Sequence, residues 1–262
     1  MTASPWQRRI ERAEELTKQF PFATEMLAFY IHVARFQEEL HRSLSDALPV
    51  RPIENCPSLQ ATELAVLTAR FGPFLTMAEA RGPERLRSII GDLRMRGAEF
   101  WSQLLDHAWQ SFSAVDAAEL LTTAFLQPYA ELMRARSLST QDWPDPALCP
   151  FCKRKAGLGV LRQMSEGSSR WLICTFCLTE WRFRRILCPG CGEEKEQNLP
   201  VFTLGESIRL ECCDTCKTYV KTIDMTKDGH AEPIVDELAS APLDLWARDR
   251  GYAKLRPNLL GI

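Results

Sequence analysis

Eight of the ten cysteines in this chain stand in four Cys-x-x-Cys pairs: Cys149/Cys152, Cys174/Cys177, Cys188/Cys191 and Cys213/Cys216. Two thiolates separated by two residues in a tight knuckle can point at one cation, and a second knuckle completes a tetrahedral all-sulfur site. The first two pairs recur at one constant offset, which carries Cys149 onto Cys188, Cys152 onto Cys191, Cys174 onto Cys213 and Cys177 onto Cys216. The same register carries Pro150 onto Pro189, Arg170 onto Arg209 and Thr179 onto Thr218. A fixed period of this kind is an internal duplication. It assigns Cys213, rather than its neighbour Cys212, to the pattern.

A duplicated unit should carry a complete site of its own. Cys149, Cys152, Cys174 and Cys177 are therefore expected to hold one ion, and Cys188, Cys191, Cys213 and Cys216 a second. The gap between knuckles, Lys153 to Ile173 in the first repeat and Gly192 to Cys212 in the second, is just past the usual four-cysteine ribbon spacing and long enough for a hairpin. All-thiolate tetrahedra suit zinc or iron, and the ligand type does not separate the two. No His or carboxylate joins the pattern, so the sites read as closed and structural. Short strands bury too little apolar surface to be secure alone. A structural ion supplies on the order of 10–16 kcal/mol in finger peptides, which makes metal a condition of folding here. The competing disulfide reading suits small secreted chains, and nothing in the sequence marks this one as secreted.

The elements that must position these ligands follow from composition and period. At 262 residues, 45% hydrophobic and with net charge −2, the chain suits two globular domains and has no general attraction for nucleic acid or anionic membrane. So many free thiolates point to a reducing cytoplasm. Arg8-Arg9 is followed by Glu11, Arg12, Glu14 and Glu15 where an export signal would be apolar. No apolar run reaches the roughly 20 residues of a membrane span.

Residues 1–140 read as a helical bundle of about six helices. Ser4-Pro5 caps the first, and Pro21 stops it. A longer helix runs from about Ala23 to Leu44. Ser58 caps a third, ended by Gly72-Pro73, with a short helix over Phe74–Ala80 and another from Pro83, whose continuity Gly91 and Gly97 weaken. Ser113 caps a last helix to about Arg136, bent at Pro128. A Pro-rich linker around Trp143 leads into residues 141–229, the metal-ribbon region, where the period becomes alternating. Strands are expected at Leu158–Arg162, Trp171–Ile173, Trp181–Phe183, Val201–Leu204, Ile208–Leu210 and Tyr219–Ile223. Residues 230–262 return to helix, from Pro233 and over Leu243–Arg250, with a docked apolar tail. The fold class is thus α+β: a helical bundle, tandem rubredoxin-like or zinc-ribbon modules, and a helical C-terminal segment.

Other chemistry finds little support. His32, His41, His107 and His230 show no ligand spacing or triad context, Cys56 and Cys212 are stray thiols, and there is no phosphate loop, dinucleotide motif or nucleophile elbow. A nucleic-acid-binding zinc ribbon is the alternative suggested by Arg182, Arg184 and Arg185 with Lys153, Arg154 and Lys155. From Cys149 to Lys221 there are 12 Lys/Arg against 8 Asp/Glu. Two divalent ions with eight thiolates cancel that excess, so these cations are expected to offset cluster charge or to line a protein interface.

The run of a helical half, Cys149-Pro-Phe-Cys152, Arg170-Trp-Leu-Ile-Cys-Thr-Phe-Cys-Leu-Thr-Glu-Trp181, Cys188-Pro-Gly-Cys-Gly192 and Cys213-Asp-Thr-Cys-Lys-Thr-Tyr-Val-Lys221 resembles the formate dehydrogenase accessory protein family, FdhE. The likeness continues through Asp236-Glu-Leu-Ala-Ser240, Leu243-Asp-Leu245 and Pro257-Asn-Leu-Leu260. It covers the C-terminal half by motif and the helical half by architecture. The resemblance implies a non-enzymatic cytoplasmic factor for a molybdenum- or tungsten-dependent formate dehydrogenase, contacting its catalytic subunit before export or assembly. It also implies two rubredoxin-like sites, with iron the family expectation. Gly follows only the third knuckle, as Gly192; Lys153, Leu178 and Lys217 follow the others. That departure counts against rubredoxin-like redox tuning and leaves four-thiolate coordination untouched; an electron-transfer module serving a dehydrogenase is the redox alternative. Trp171, Trp181, Arg182, Arg184 and Arg185 are the expected partner-binding residues, because Trp and Arg are favoured interface anchors. For the two tryptophans the alternative is a place in the core.

Overall fold

A computed structural model describes residues 4–48, 58–110, 116–137, 145–165 and 167–258. Among the described residues five α-helices come first: α1 (Pro5–Gln19), α2 (Thr24–Ala47), α3 (Ala61–Arg81), α4 (Glu84–Gln110) and α5 (Ala117–Ala135). Ser4 caps α1 by accepting the Gln7 amide at 3.0 Å, and Pro5 fills the first-turn position where its missing N–H costs nothing. Helix boundaries differ from expectation at three points. Gly72-Pro73 does not end α3, which runs through both, because Phe71, Phe74 and Leu75 on either side are fully buried and packing overrides the local breaker. Likewise Gly91 lies inside α4, whose break comes at Gly97 with φ +75. The cap of α3 is Gln60, boxed with Glu63, rather than Ser58. Asp116 caps α5, while Ser113, Cys56 and the linker residue Trp143 fall outside the described residues.

The cysteine repeats form one seven-stranded sheet. Its strands are β1 (Leu158–Gln163), β2 (Ser168–Ile173), β3 (Glu180–Phe183), β4 (Val201–Leu204), β5 (Ile208–Cys213), β6 (Thr218–Asp224) and β7 (Ala253–Lys254). The order is β3-β2-β1-β6-β5-β4, with β7 also beside β6. Each repeat is therefore an antiparallel three-stranded meander. The join between the meanders is parallel, β1 against β6, with Leu158 opposite Lys221 and Leu161 opposite Asp224. Arg170 faces Phe183 in the first copy, and the same pair one repeat further on is Arg209 facing Thr222. Such an arrangement repeats by translation along the sheet, leaving β3 and β4 as its two edges among the described residues.

One sheet face is covered by α6 (Pro233–Ala239) and α7 (Ala241–Asp249), which bury Val160, Leu210, Tyr219 and Ile223 against Leu243 and Ala247. Helix α6 also seats against α1, where the buried Arg12 guanidinium meets Asp236 at 2.6 Å. The chain then crosses Gly251 (φ +79) and runs as β7 and a strap, residues 252–258, between the two metal-binding regions. The largest core joins both halves of the molecule. Phe71, Phe74, Phe125 and Tyr129 of the bundle are continuous with Cys149, Phe151, Cys174, Phe176 and Cys177 of the first repeat.

Candidate metal centres

All four knuckles have one backbone plan. The residue after the second cysteine takes a left-handed conformation: Lys153 (φ 61), Leu178 (φ 53), Gly192 (φ 78) and Lys217 (φ 55). In the first three its amide donates to the carbonyl of the first cysteine, at 3.0, 2.9 and 2.9 Å, reversing the chain so that both sulfurs point inward. Only one of the four is glycine. The others bear about 1–2 kcal/mol each of steric strain, small beside the binding energy of a structural ion.

These turns bring the eight cysteines together as two tetrads, Cys149/Cys152/Cys174/Cys177 and Cys188/Cys191/Cys213/Cys216, with the four sulfurs of each within 4.8 Å of one another. In the first, Cys149 and Cys177 sulfurs are 3.5 Å apart and Cys152 and Cys174 3.4 Å. In the second, the Cys188–Cys216 and Cys191–Cys213 separations are both 3.7 Å. A tetrahedron built on bonds of about 2.3 Å has edges of about 3.8 Å. The donors thus fit a tetrahedral thiophilic ion and are far too distant for disulfides.

The register partners Thr179 and Thr218 share a role that their sequence coincidence does not disclose. Their hydroxyls lie 3.1 Å from Cys177 Sγ and 3.0 Å from Cys216 Sγ, placed to donate to a thiolate. Burial pushes the Cys216 thiol up, but the hydroxyl and amide of Thr218 outweigh it and hold the group at about 7.

The surroundings of the tetrads differ sharply. The first is wholly buried, wedged between the bundle and the sheet. Gln127 of α5 donates to the Thr175 carbonyl at 2.8 Å, inside the second knuckle. Arg154 lies 3.9 Å over the Phe176 ring and donates to the Ala108 and Trp109 carbonyls at the end of α4. From the strap, buried Arg256 comes close enough to feel Cys174, Cys152 and Cys177; burial lowers its pKa to about 10 while those sulfurs act the other way. Four thiolates and a divalent ion carry a formal charge of −2, and Arg154 and Arg256 supply two positive charges beside them. Of the two, only Arg154 belongs to the cations that the sequence singles out.

The second tetrad sits at the surface, with Cys191 exposed and Cys216 half-buried. Gly190 N–H donates to Cys188 Sγ at 3.3 Å, and a Cβ there would come within 2.9 Å of the Thr218 hydroxyl and 3.3 Å of Cys216 Sγ. Backbone amides of Glu193 and Thr218 also act on Cys191 and Cys216. The Glu193 carboxylate braces the two knuckles, accepting from Thr215 Oγ1 at 2.6 Å and Asn198 Nδ2 at 2.9 Å; the Thr215 bond, with others, holds it at about 2.

Of the five expected partner-binding residues, two are committed to packing. Trp171 is half-buried against the α6–α7 face, with its indole N–H donating to Ser169 Oγ at 2.8 Å. Trp181 packs on the bundle core and donates to the Pro146 carbonyl at 2.8 Å. Arg182, Arg184 and Arg185 are exposed; Arg184 pairs with Glu194 at 2.6 Å and Arg185 reaches Ser168 Oγ at 3.3 Å. Cys212 is buried on the α6–α7 face, outside either tetrad, and its thiol is pushed up to about 12 by burial. Among the described residues, no histidine joins a metal-binding cluster and no helix is long and apolar enough to cross a membrane.

Comparison with known proteins divides the chain at the same seam. Residues 148–185 match the family model for the FdhE central domain, and residues 186–260 that for the FdhE C-terminal domain. An FdhE homologue of Aquifex aeolicus is 25% identical over 96% of this chain and 94% of its own. The crystal structure of the FdhE protein from Pseudomonas aeruginosa superposes with a TM-score of 0.65 at 25% identity, covering 99% of this chain and 97% of that one. The chain is similar to FdhE proteins along almost its whole length. With the homologue from Pseudomonas aeruginosa, sequence identity rises to 35%, over 43% of this chain and 39% of that protein.

The motifs beyond the cysteines converge on one buried polar cluster. Lys221 Nζ contacts Asp244 Oδ2 at 2.5 Å and Glu237 Oε1 at 2.9 Å. Lys254 pairs with both carboxylates, Tyr219 donates to Asp244 at 2.7 Å, and Asn258 donates to Glu237 at 2.8 Å. Burial works against the charge of Glu237, but Lys221 and Lys254 outweigh it and hold the carboxyl at about 2. The cluster fixes α6 and α7 to β6 and fastens the strap that carries Arg256 to the first tetrad.

Proposed function

We propose that this chain is an accessory protein for the assembly of a molybdenum- or tungsten-dependent formate dehydrogenase, acting in the cytoplasm by holding the catalytic subunit while it is completed. The likeness to FdhE proteins along almost the whole chain carries this reading. The tetrads support it from the chemical side. Each offers four protein sulfurs to its ion, which leaves no open coordination position for a substrate. Each ion, zinc or iron, would act as a folding clamp. The expected contact residues remain Trp171, Trp181, Arg182, Arg184 and Arg185, of which the three arginines are exposed and the two tryptophans half-buried. The test is genetic and physical together. A strain lacking this protein should make the catalytic subunit but show little formate-dependent dye reduction, and the protein should capture that subunit from the cytoplasm. Normal dehydrogenase activity in the deletion strain overturns the assignment.

A second reading, rubredoxin-like electron transfer, is favoured by one feature. The second tetrad is exposed and its sulfurs receive backbone N–H donors, the arrangement that tunes iron–sulfur potentials. An anaerobic preparation that is red and reversibly bleached by a one-electron reductant supports it. A colourless, zinc-loaded one retires it.

A further inference from the structure

We infer that the outer edge of β4 is a strand-docking site, and that its occupant is an extended, uncharged segment of an incompletely folded protein chain, paired parallel to β4. The inference rests on the accessory reading above and names the surface through which a client would be held.

The duplication supplies the template. Val160 of β1 faces Trp171, and Phe202 of β4 faces Leu210. Trp171 and Leu210 are equivalent positions of the two repeats, so β4 occupies the place of β1, on a shorter hairpin. The outer edge of β1 is filled: β6 runs parallel along it, and Met225 N–H donates to the Leu161 carbonyl at 3.0 Å. The residue of β4 standing where Leu161 stands is Thr203. Along β4, the Cys212 amide donates to the Pro200 carbonyl, which by antiparallel alternation turns the peptide groups of Phe202 and Leu204 toward β5 and those of Val201 and Thr203 outward. Among the described residues no strand pairs with that outward edge.

Edge strands are ordinarily blunted by charge, bulges or cover. All four residues of β4 are exposed and none is charged. Of the eight exposed large apolar residues among those described, Val201, Phe202 and Leu204 lie on β4, and Ile186 and Leu245 lie on segments that flank it. On one face the Phe202 ring meets Trp246 of α7 at 4.5 Å, next to Leu245. On the other a cavity of about 350 Å³ opens between Val201 and Ile186, with Arg185 and Arg209 at its wall. An added strand would thus set alternate side chains against an apolar ledge and into this cavity, the division of labour of strand addition.

A second copy is the rival occupant, since β3 is the repeat equivalent of β6. That join is translational, so copies would add without closing and grow into a fibre. A segment of another chain ends the sheet.

The experiment uses the full-length, metal-loaded protein and purified cofactor-free catalytic subunit. Thr203→Pro removes an outward N–H without breaking a bond to β5. Leu204→Lys blunts the edge by charge. Both variants should keep the circular dichroism, metal content and melting temperature of the parent yet bind the subunit about tenfold more weakly, and the parent complex should protect the amides of 201–204 from exchange. If Thr203→Pro folds and binds the subunit with unchanged affinity, or protection is absent while the subunit is bound, the edge proposal falls and the accessory reading stands. If the parent fails to bind the subunit, both fall. Concentration-dependent self-association that Thr203→Pro abolishes, with subunit binding unaffected, assigns the edge to a second copy and overturns the proposal.

Discussion

The two tetrads have the same ligands, spacing and turn geometry, but opposite surroundings. The first is sealed between α4, α5 and the sheet and stands beside two buried guanidinium groups. The second has a cysteine in contact with solvent and braces its knuckles through the half-buried carboxylate of Glu193. Duplication thus yielded one copy that became part of the bundle's core and one that kept access to water. The difference teaches that a metal ribbon's ligands define its ion, while its neighbours decide whether the ion is a keystone or a local clamp.

The largest effect expected from this contrast is on folding. Cys152→Ser with Cys174→Ser removes two ligands from the centre of the shared core, so helical circular dichroism should collapse along with the metal. Cys191→Ser with Cys216→Ser should cost one ion and leave the helical signal nearly intact. An equal loss of helix in both variants would erase the distinction.

Next in size is charge compensation. Arg154→Met or Arg256→Met leaves part of a −2 centre unpaired in the core, which should destabilise the protein by roughly 3–5 kcal/mol in denaturant titration. Replacing exposed Arg182 or Arg184 should change stability by less than about 0.5 kcal/mol. Similar losses in both groups would mean that Arg154 and Arg256 do not serve the first tetrad.

Acid should sharpen the picture through the strap. The Glu237 carboxyl has a folded pKa of about 2, below its unfolded value of roughly 4.3. Its contribution is therefore complete above the unfolded value and lost as pH falls toward the folded one. Protection of the amides at residues 253–258, measured against their intrinsic exchange rates, should fall over that window. Glu237→Gln should show fast exchange already at neutral pH, with little further dependence on acid. A strap indifferent to the substitution contradicts the role given to this cluster.

Much of this arrangement is legible in the sequence, and the reasons are physical. Cysteine spacing is a covalent-scale constraint, so the eight residues that form the tetrads can be named from their period alone. Alternation announces β5, whose buried and half-buried residues do alternate. By contrast β4, exposed throughout, and β6, buried along almost its whole length, are read from β-branched and aromatic content instead. What pattern cannot reach is long-range context. Gly72-Pro73 reads as a helix stop until Phe71 and Phe74 are seen to be buried on both sides of it. Arg256 stands near the end of the chain, a whole repeat and two helices beyond Cys174, and no local signal connects them. Trp171 and Trp181 have the same composition signature whether they anchor a partner or a core, and their indole hydrogen bonds are what reveal the packing role.

The smallest effect concerns the turns that the tetrads share. Lys217→Gly relieves a left-handed residue at the exposed site and should raise stability by up to about 1 kcal/mol. Gly192→Ala should lower it by a similar amount, since φ is +78 there. A lower melting temperature for Lys217→Gly, or a higher one for Gly192→Ala, would contradict the strain assigned to these turns.

The most direct test of the difference between the tetrads is timed chelation of the native protein, with mass-spectrometric mapping of the thiols that become alkylated. One ion should leave early, with Cys188, Cys191, Cys213 and Cys216 labelled and the helical signal retained; the second should leave only as the helices unfold. Early labelling of Cys149, Cys152, Cys174 and Cys177, or release of both ions in a single step with the helices intact, would contradict the account.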